Sequence, residues 1–141
     1  MKILLISLIS FLISFSTFSK EVVVEMLNKR DDGQKMVFSE DVVKVDVGDT
    51  VKWVATAKGH NVEFIAGPDG FSLPPKSGLN KDVSITFEKP GVYLYVCTPH
   101  KVMGMIGLVV VGNDSSNKDA IAGVKMMGRS KKKLASMIGS L

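Results

Sequence analysis

Residues 92–111 read Val92-Tyr93-Leu94-Tyr95-Val96-Cys97-Thr98-Pro99-His100-Lys101-Val102-Met103-Gly104-Met105-Ile106-Gly107-Leu108-Val109-Val110-Val111. The runs Val92 to Cys97 and Ile106 to Val111 are rich in β-branched and aromatic residues, which pack well on a pleated surface and favour strands. The loop between them, with the strand end that opens it, holds the only cysteine, one of the two histidines and two of the eight methionines. A loop joining two strand ends can gather such side chains around one point. This stretch therefore decides the fold and locates the chemistry.

Working outward, the same strand signal recurs. Val51, Trp53, Ala55 and Ala57 fall on one face of a run, with Lys52 and Thr56 on the other. Val43, Val45 and Val47 alternate with Lys44 and Asp46, and Val83, Ile85 and Phe87 alternate with Ser84 and Thr86. Glu21 to Leu27 and Asn61 to Ile65 complete the set. Turn signals separate the runs: Asp31-Asp32-Gly33, Val47-Gly48-Asp49, Gly67-Pro68-Asp69-Gly70, Pro74-Pro75 and Lys89-Pro90-Gly91. Seven or eight short strands at this spacing predict an all-β, antiparallel β-sandwich. No helical period lies between them, which excludes a parallel α/β fold. After Gly112 the pattern changes: Leu134, Met137, Ile138 and Leu141 form the stripe of an amphipathic helix, and Ile121 and Val124 mark a shorter one before it. Ser116 with Asp119 three residues on suggests a capping box for that shorter helix. Residues 113–141 thus read as two short helices packed back on the sandwich.

The amino end is a different kind of segment. Met1-Lys2 leads into an apolar run from Ile3 to Phe15, then small residues at Thr17 and Ser19 ahead of Lys20-Glu21. This is the pattern of a signal peptide over residues 1–19, leaving a mature chain from 20. The run is too short to span a bilayer, which takes about 20 apolar residues, so export without membrane insertion is expected. In an oxidising compartment a lone cysteine has no partner within the chain, so Cys97 is expected to be buried or chemically occupied.

The 141 residues fit one domain, and 45% hydrophobic with 23% charged content is too apolar for disorder. Without Lys2, 17 basic residues face 14 acidic ones, a mature charge near +3. The excess sits in the tail, at Lys118, Lys125, Arg129, Lys131, Lys132 and Lys133. Such a balance offers no dense basic stripe with interleaved aromatics, which argues against nucleic-acid binding.

Both histidines, His60 and His100, and Cys97 lie in two short segments, Gly59-His60-Asn61 and Cys97 to Met105. Two imidazoles, a thiolate and a thioether make a blue-copper electron-transfer site; two His and one Cys can also hold a catalytic zinc with an open position. Zinc chemistry would need a general base. Glu63 is the nearest carboxylate in sequence, and strand alternation does not put it beside His60. Haem attachment through Cys-x-x-Cys-His fails for want of a second cysteine. Met103 and Met105 are both chemically able to serve as the thioether. A copper-delivery or storage protein could use the same residues in an exchangeable site.

Several motifs together resemble the cupredoxins and, among them, the pseudoazurin branch. They are Val47-Gly48-Asp49-Thr50-Val51-Lys52-Trp53, Gly59-His60-Asn61, Pro90-Gly91-Val92-Tyr93, and Cys97-Thr98-Pro99-His100 with Gly104-Met105. The resemblance covers about Glu21 to Gly112, and the helical tail favours the pseudoazurin branch. It implies a Greek-key cupredoxin domain over 20–112 with a 113–141 extension, and one type 1 copper held by His60, Cys97, His100 and Met105. It further implies that Asn61 ties the two ligand loops together while Pro99 stiffens one of them. His100 would present its edge at the surface beside Met103, and Lys58, Lys76 and Lys101 would steer acidic redox partners. The expected function is a periplasmic, monomeric, non-enzymatic electron carrier, delivering to a nitrite reductase or exchanging with c-type cytochromes.

Overall fold

The computed structural model describes residues 18–141. The segment expected to be a signal peptide, residues 1–19, therefore lies outside the described residues, apart from Phe18 and Ser19, both exposed. Eight strands follow in chain order: β1 (Glu21–Lys29), β2 (Lys35–Phe38), β3 (Val42–Val45), β4 (Thr50–Val54), β5 (Glu63–Ala66), β6 (Val83–Thr86), β7 (Gly91–Val96) and β8 (Ile106–Val111). A 3-10 helix over Thr98–Met103 separates β7 from β8, and α1 (Lys118–Ala122) and α2 (Arg129–Gly139) close the chain.

The strands form two four-stranded sheets, ordered β2-β1-β4-β6 and β3-β8-β7-β5. The sandwich with two C-terminal helices is as expected, but its pairing is mixed rather than wholly antiparallel. β1 runs parallel to β4, with Val24 opposite Trp53, and β3 runs parallel to β8, with Val43 opposite Val109. Hairpin-length turns make antiparallel neighbours, whereas these two pairs join strands distant in sequence, whose direction no local signal reports. β2 was not anticipated, because Lys35-Met36-Val37-Phe38 is short and Met36 sits at φ 51°, outside the strand region. Val47, expected to continue the β3 face, lies in the following turn and is exposed.

β7 and β8 are buried at every position. Their inward residues Tyr93, Tyr95, Val109 and Val111 join Trp53, Phe64, Phe38 and Phe87 between the sheets. Their outward residues Val92, Leu94, Val96, Ile106, Leu108 and Val110 pack under Ile121, Leu134 and Met137 of the two helices. That outer face explains the tail: six apolar side chains would otherwise meet water, and fully burying each contributes on the order of 1.5–3 kcal/mol.

The expected capping box at Ser116 does not form. Asn117 is the residue at the start of α1, and its amide accepts from Val92 N (2.8 Å) and donates to Val92 O (2.9 Å), completing the edge of β7. α2 is held by a charged clamp. Asp41 Oδ1 forms an ion pair with Lys133 Nζ at 2.7 Å and accepts from Arg30 Nη1 at 3.1 Å. Burial pushes the Lys133 ammonium down, and Asp41 offsets only part of that.

Candidate metal centre

Each donor is placed by a local device. Gly59, at φ 89°, turns the chain after β4, and the neighbouring loop grips His60 at both ends: Gly59 N donates to Asn80 Oδ1 (2.6 Å) and Asn80 N to His60 O (2.9 Å). Cys97 follows β7 directly, its N–H bonded to Met105 O at 2.9 Å. Pro99 sits in the first turn of the 3-10 helix, where its lack of an N–H costs nothing. That short helix brings His100 back over Cys97, with His100 N donating to Cys97 O at 3.0 Å. Gly104, at φ 104°, ends it in a left-handed conformation open to glycine, and Met105 enters the core.

The result is a tight triad. Cys97 Sγ lies 3.7 Å from His60 Nδ1 and 3.4 Å from His100 Nδ1, and the two Nδ1 atoms are 3.1 Å apart. A point equidistant from these three atoms is about 2 Å from each, close to metal–imidazole and slightly short of metal–thiolate bond lengths. Among the described residues these three side chains bring their donor atoms close enough together to hold a metal ion. His60, Cys97 and Met105 are wholly buried, while His100 is half-buried. Burial, and then the neighbouring His100, hold the His60 imidazole below its ordinary value, which keeps it neutral and able to donate a lone pair. Burial pushes the Cys97 thiol up, and the backbone N–H groups of Asn61 and His100 pull it partly back.

Two partners orient the donors. His60 Nε2 lies 2.9 Å from Asn28 Oδ1, so Nε2 carries the proton and Nδ1 is free to ligate. Asn28 was not singled out in the sequence: an exposed polar residue near the end of β1 gives no sign that it reaches a histidine 32 residues away. Asn61 spans the two ligand loops, accepting from Thr98 N (2.8 Å) and donating to Thr98 Oγ1 (2.9 Å) and Ser77 O (3.3 Å). Glu63 accepts from Thr98 Oγ1 at 2.7 Å, so this carboxylate braces the loop and is not poised as a base.

Pro99, Lys101, Val102 and Met103 are exposed around His100. Lys58, two residues before His60, and Lys76, next to Ser77, are exposed in the loops that grip the site. Met103 is 43% exposed, whereas Met105 belongs to the same buried cluster as Cys97.

Residues 24–112 match the copper binding proteins of the plastocyanin/azurin family. The chain belongs to that family. Among its members it is similar to the pseudoazurin of Methylorubrum extorquens, 41% identical over 81% of this chain and 77% of the relative. The pseudoazurin of Paracoccus pantotrophus is also 41% identical, over 79% and 77%. Among solved structures, native pseudoazurin from Hyphomicrobium denitrificans superposes with a TM-score of 0.80 at 44% identity, covering 86% of this chain and 98% of that one. A pseudoazurin from Sinorhizobium meliloti gives 0.81 at 41%, covering 86% and 95%. These cupredoxins share the β-sandwich, and copper is the metal this donor set serves: soft thiolate and two imidazoles, in a buried pocket. The chain is thus a cupredoxin of the electron-carrier type.

Proposed function

We propose that the exported chain, trimmed of residues 1–19, is a periplasmic electron carrier and not an enzyme, passing single electrons to a nitrite reductase or a similar periplasmic reductase. Its copper unit would span 20–112, with 113–141 as a helical extension. The ligands would be His60 Nδ1, Cys97 Sγ, His100 Nδ1 and, from the core side, Met105; the exposure of Met103 argues against it as the thioether. The observation that carries this reading is the convergence of two Nδ1 atoms and Sγ within 3.7 Å in a site closed on one side and half-open at His100. Bound copper supplies reversible one-electron exchange between Cu(I) and Cu(II).

The chain's own groups do the rest. Asn28 and Asn80 hold His60, and Asn61 locks Thr98 beside Cys97, so the donors keep their places when the charge changes and reorganisation stays small. Cys97 gives up its proton on metal binding, and the Asn61 and His100 amides stabilise the thiolate. Full burial of His60, Cys97 and Met105 favours a permanent redox site over an exchangeable delivery site. The half-exposed His100 edge is the shortest way out for the electron, and Pro99 and Met103 exclude water when a partner covers it. Lys58, Lys76 and Lys101 would steer acidic redox proteins, with a small, transient, salt-sensitive encounter.

The test is visible absorption of the Cu(II)-loaded mature protein, followed by ascorbate. Intense absorption that bleaches reversibly, and is lost in Cys97→Ala, is the expected result; a colourless copper protein refutes the reading. Met105→Leu should retain the colour and raise the reduction potential. Charge reversal at Lys58, Lys76 and Lys101 should slow reaction with an acidic reductase and flatten its salt dependence.

A further inference from the structure

From Ala120 to Leu141 the chain contains no Asp or Glu and five basic residues. Lys133 is engaged by Asp41. Lys125, Arg129, Lys131 and Lys132 are exposed, and among the described residues none of them pairs with a carboxylate. The same region carries the most exposed methionine among the described residues: Met127 is 72% exposed, against 43% for Met103 and 48% for Val102. One such residue alone would mean little, but three around one loop form a patch.

The tail is fastened to that loop. Ser130 Oγ donates to Lys101 O, and a Cβ at Gly128 would overlap the Val102 carbonyl, so the α1–α2 linker lies directly on the 3-10 helix that holds His100. A cleft of about 120 Å³ is lined by Lys101, Val102, Lys125 and Met127. On the other side of the loop, Met103 and Gly104 share a cleft of about 370 Å³ with Lys35, Arg129 and Lys132. Asp41, the acid on that wall, is already shared between Arg30 and Lys133. Apolar side chains at the centre with unpaired cations on both flanks form a surface complementary to an acidic protein.

We propose that the docking face does not end at the His100 loop but continues onto the α1–α2 linker and first turn of α2. There Met127 extends the apolar centre, and Lys125, Arg129 and Lys132 form a second basic flank for an acidic redox protein. The inference rests on the carrier reading above and deepens it. A lipid surface fits less well, because the apolar stripe of α2, Leu134 and Met137, is buried against the sheet and has nothing to insert. It also gives the charge excess of the tail a role that the copper ligands do not explain.

The test uses the full mature protein loaded with copper. The triple variant Lys125→Glu/Arg129→Glu/Lys132→Glu and the single variant Met127→Gln are compared with wild type, and with Lys44→Glu as a control. Lys44 is exposed and pairs with Val110, at the end of β8 far from the site. Stopped-flow measures the second-order rate of electron transfer to a nitrite reductase with an acidic docking face, across ionic strength. Absorption and potential are read first, to show an intact site. The triple variant should slow the reaction about tenfold or more at low salt and flatten its salt dependence, within the usual range of electrostatic steering. Met127→Gln should slow it about threefold with the salt slope kept, and Lys44→Glu should change little. Wild-type rates for the triple variant, with slow rates for Lys58→Glu and Lys101→Glu, would overturn the extension while leaving the carrier reading intact. Loss of binding to phosphatidylglycerol vesicles with an unchanged electron-transfer rate would overturn it too, assigning the basic tail to lipid. An uncoloured copper protein would sink both readings at once.

Discussion

Asn28→Ala isolates what a single oriented hydrogen bond contributes to this metal centre. His60 is completely buried, and its Nε2 is satisfied by Asn28 Oδ1 at 2.9 Å. Ligation needs the Nδ1 lone pair, so the proton must stay on Nε2, and truncation leaves that buried N–H without its acceptor. The cost of such an orphan is about 1–3 kcal/mol, or roughly five- to 150-fold in an equilibrium constant. Asn28 itself is exposed, so a water admitted beside Nε2 recovers part of the bond and moves the expectation toward the lower end. Copper affinity should therefore weaken by about tenfold, at the low edge of what ligand-orienting partners usually contribute. Without metal the imidazole can change tautomer and avoid the cost, so apo stability should fall less than holo stability. The assay is competition for Cu(II) against a chelator of known affinity, with urea unfolding of the apo protein alongside. Asn28→Asp keeps an acceptor and should hold copper at least as well as Asn28→Ala. If Asn28→Ala binds copper within twofold of wild type, the orienting role assigned to Asn28 is wrong.

Gly128→Ala should destabilise the fold by about 2–4 kcal/mol, since φ 61° penalises any Cβ and the new methyl would lie 2.7 Å from Val102 Cγ1 and overlap the Val102 carbonyl; a loss under about 1 kcal/mol by urea unfolding would count against the tail–loop clamp. Burial pushes the Asp41 carboxyl up, but Arg30 and Lys133 outweigh it and hold the group below its ordinary 3.8. A depressed folded value means that the clamp's stability is present above 3.8 and is lost as pH falls through the folded value. Asp41→Asn should accordingly flatten the decline in urea midpoint as the pH falls below about 5, and an unchanged acid limb would show that the clamp contributes nothing. Gly107→Ala places a methyl 2.5 Å from the fully buried Tyr95 ring and hydroxyl, and should lower the thermal midpoint while leaving the donor residues unchanged; a wild-type midpoint would mean that the ring moves freely.

Much of the sandwich was legible because strand alternation and turn residues are local signals. The runs around Trp53, Ile85, Tyr95 and Val109 each read correctly from their own composition. β2 and the two parallel pairings were not legible, for different reasons. Lys35–Phe38 is too short to show a period, and its Met36 adopts a backbone conformation that its side chain disfavours. The pairings of β1 with β4 and β3 with β8 join strands that no hairpin connects, so only the packed core decides their direction. The capping of α1 misled for a related reason: Asn117 does better by completing the edge of β7 than Ser116 would by closing its own helix.

At the site, the amino-acid sequence by itself determined which donors exist and how far apart they can be. One cysteine and two histidines leave little choice, and a strand–loop–strand segment from Cys97 to Met105 limits how those ends can meet. Tertiary structure alone decided which nitrogen of His60 faces Cys97 and His100, because that depends on Asn28, delivered by β1. It alone decided that Glu63 braces Thr98 and that the tail lies on the loop beside His100. Ligand identity is a property of residues and is written along the chain. Orientation, protonation and surface are properties of contacts between distant residues, and exist only once the two sheets and the helices have packed.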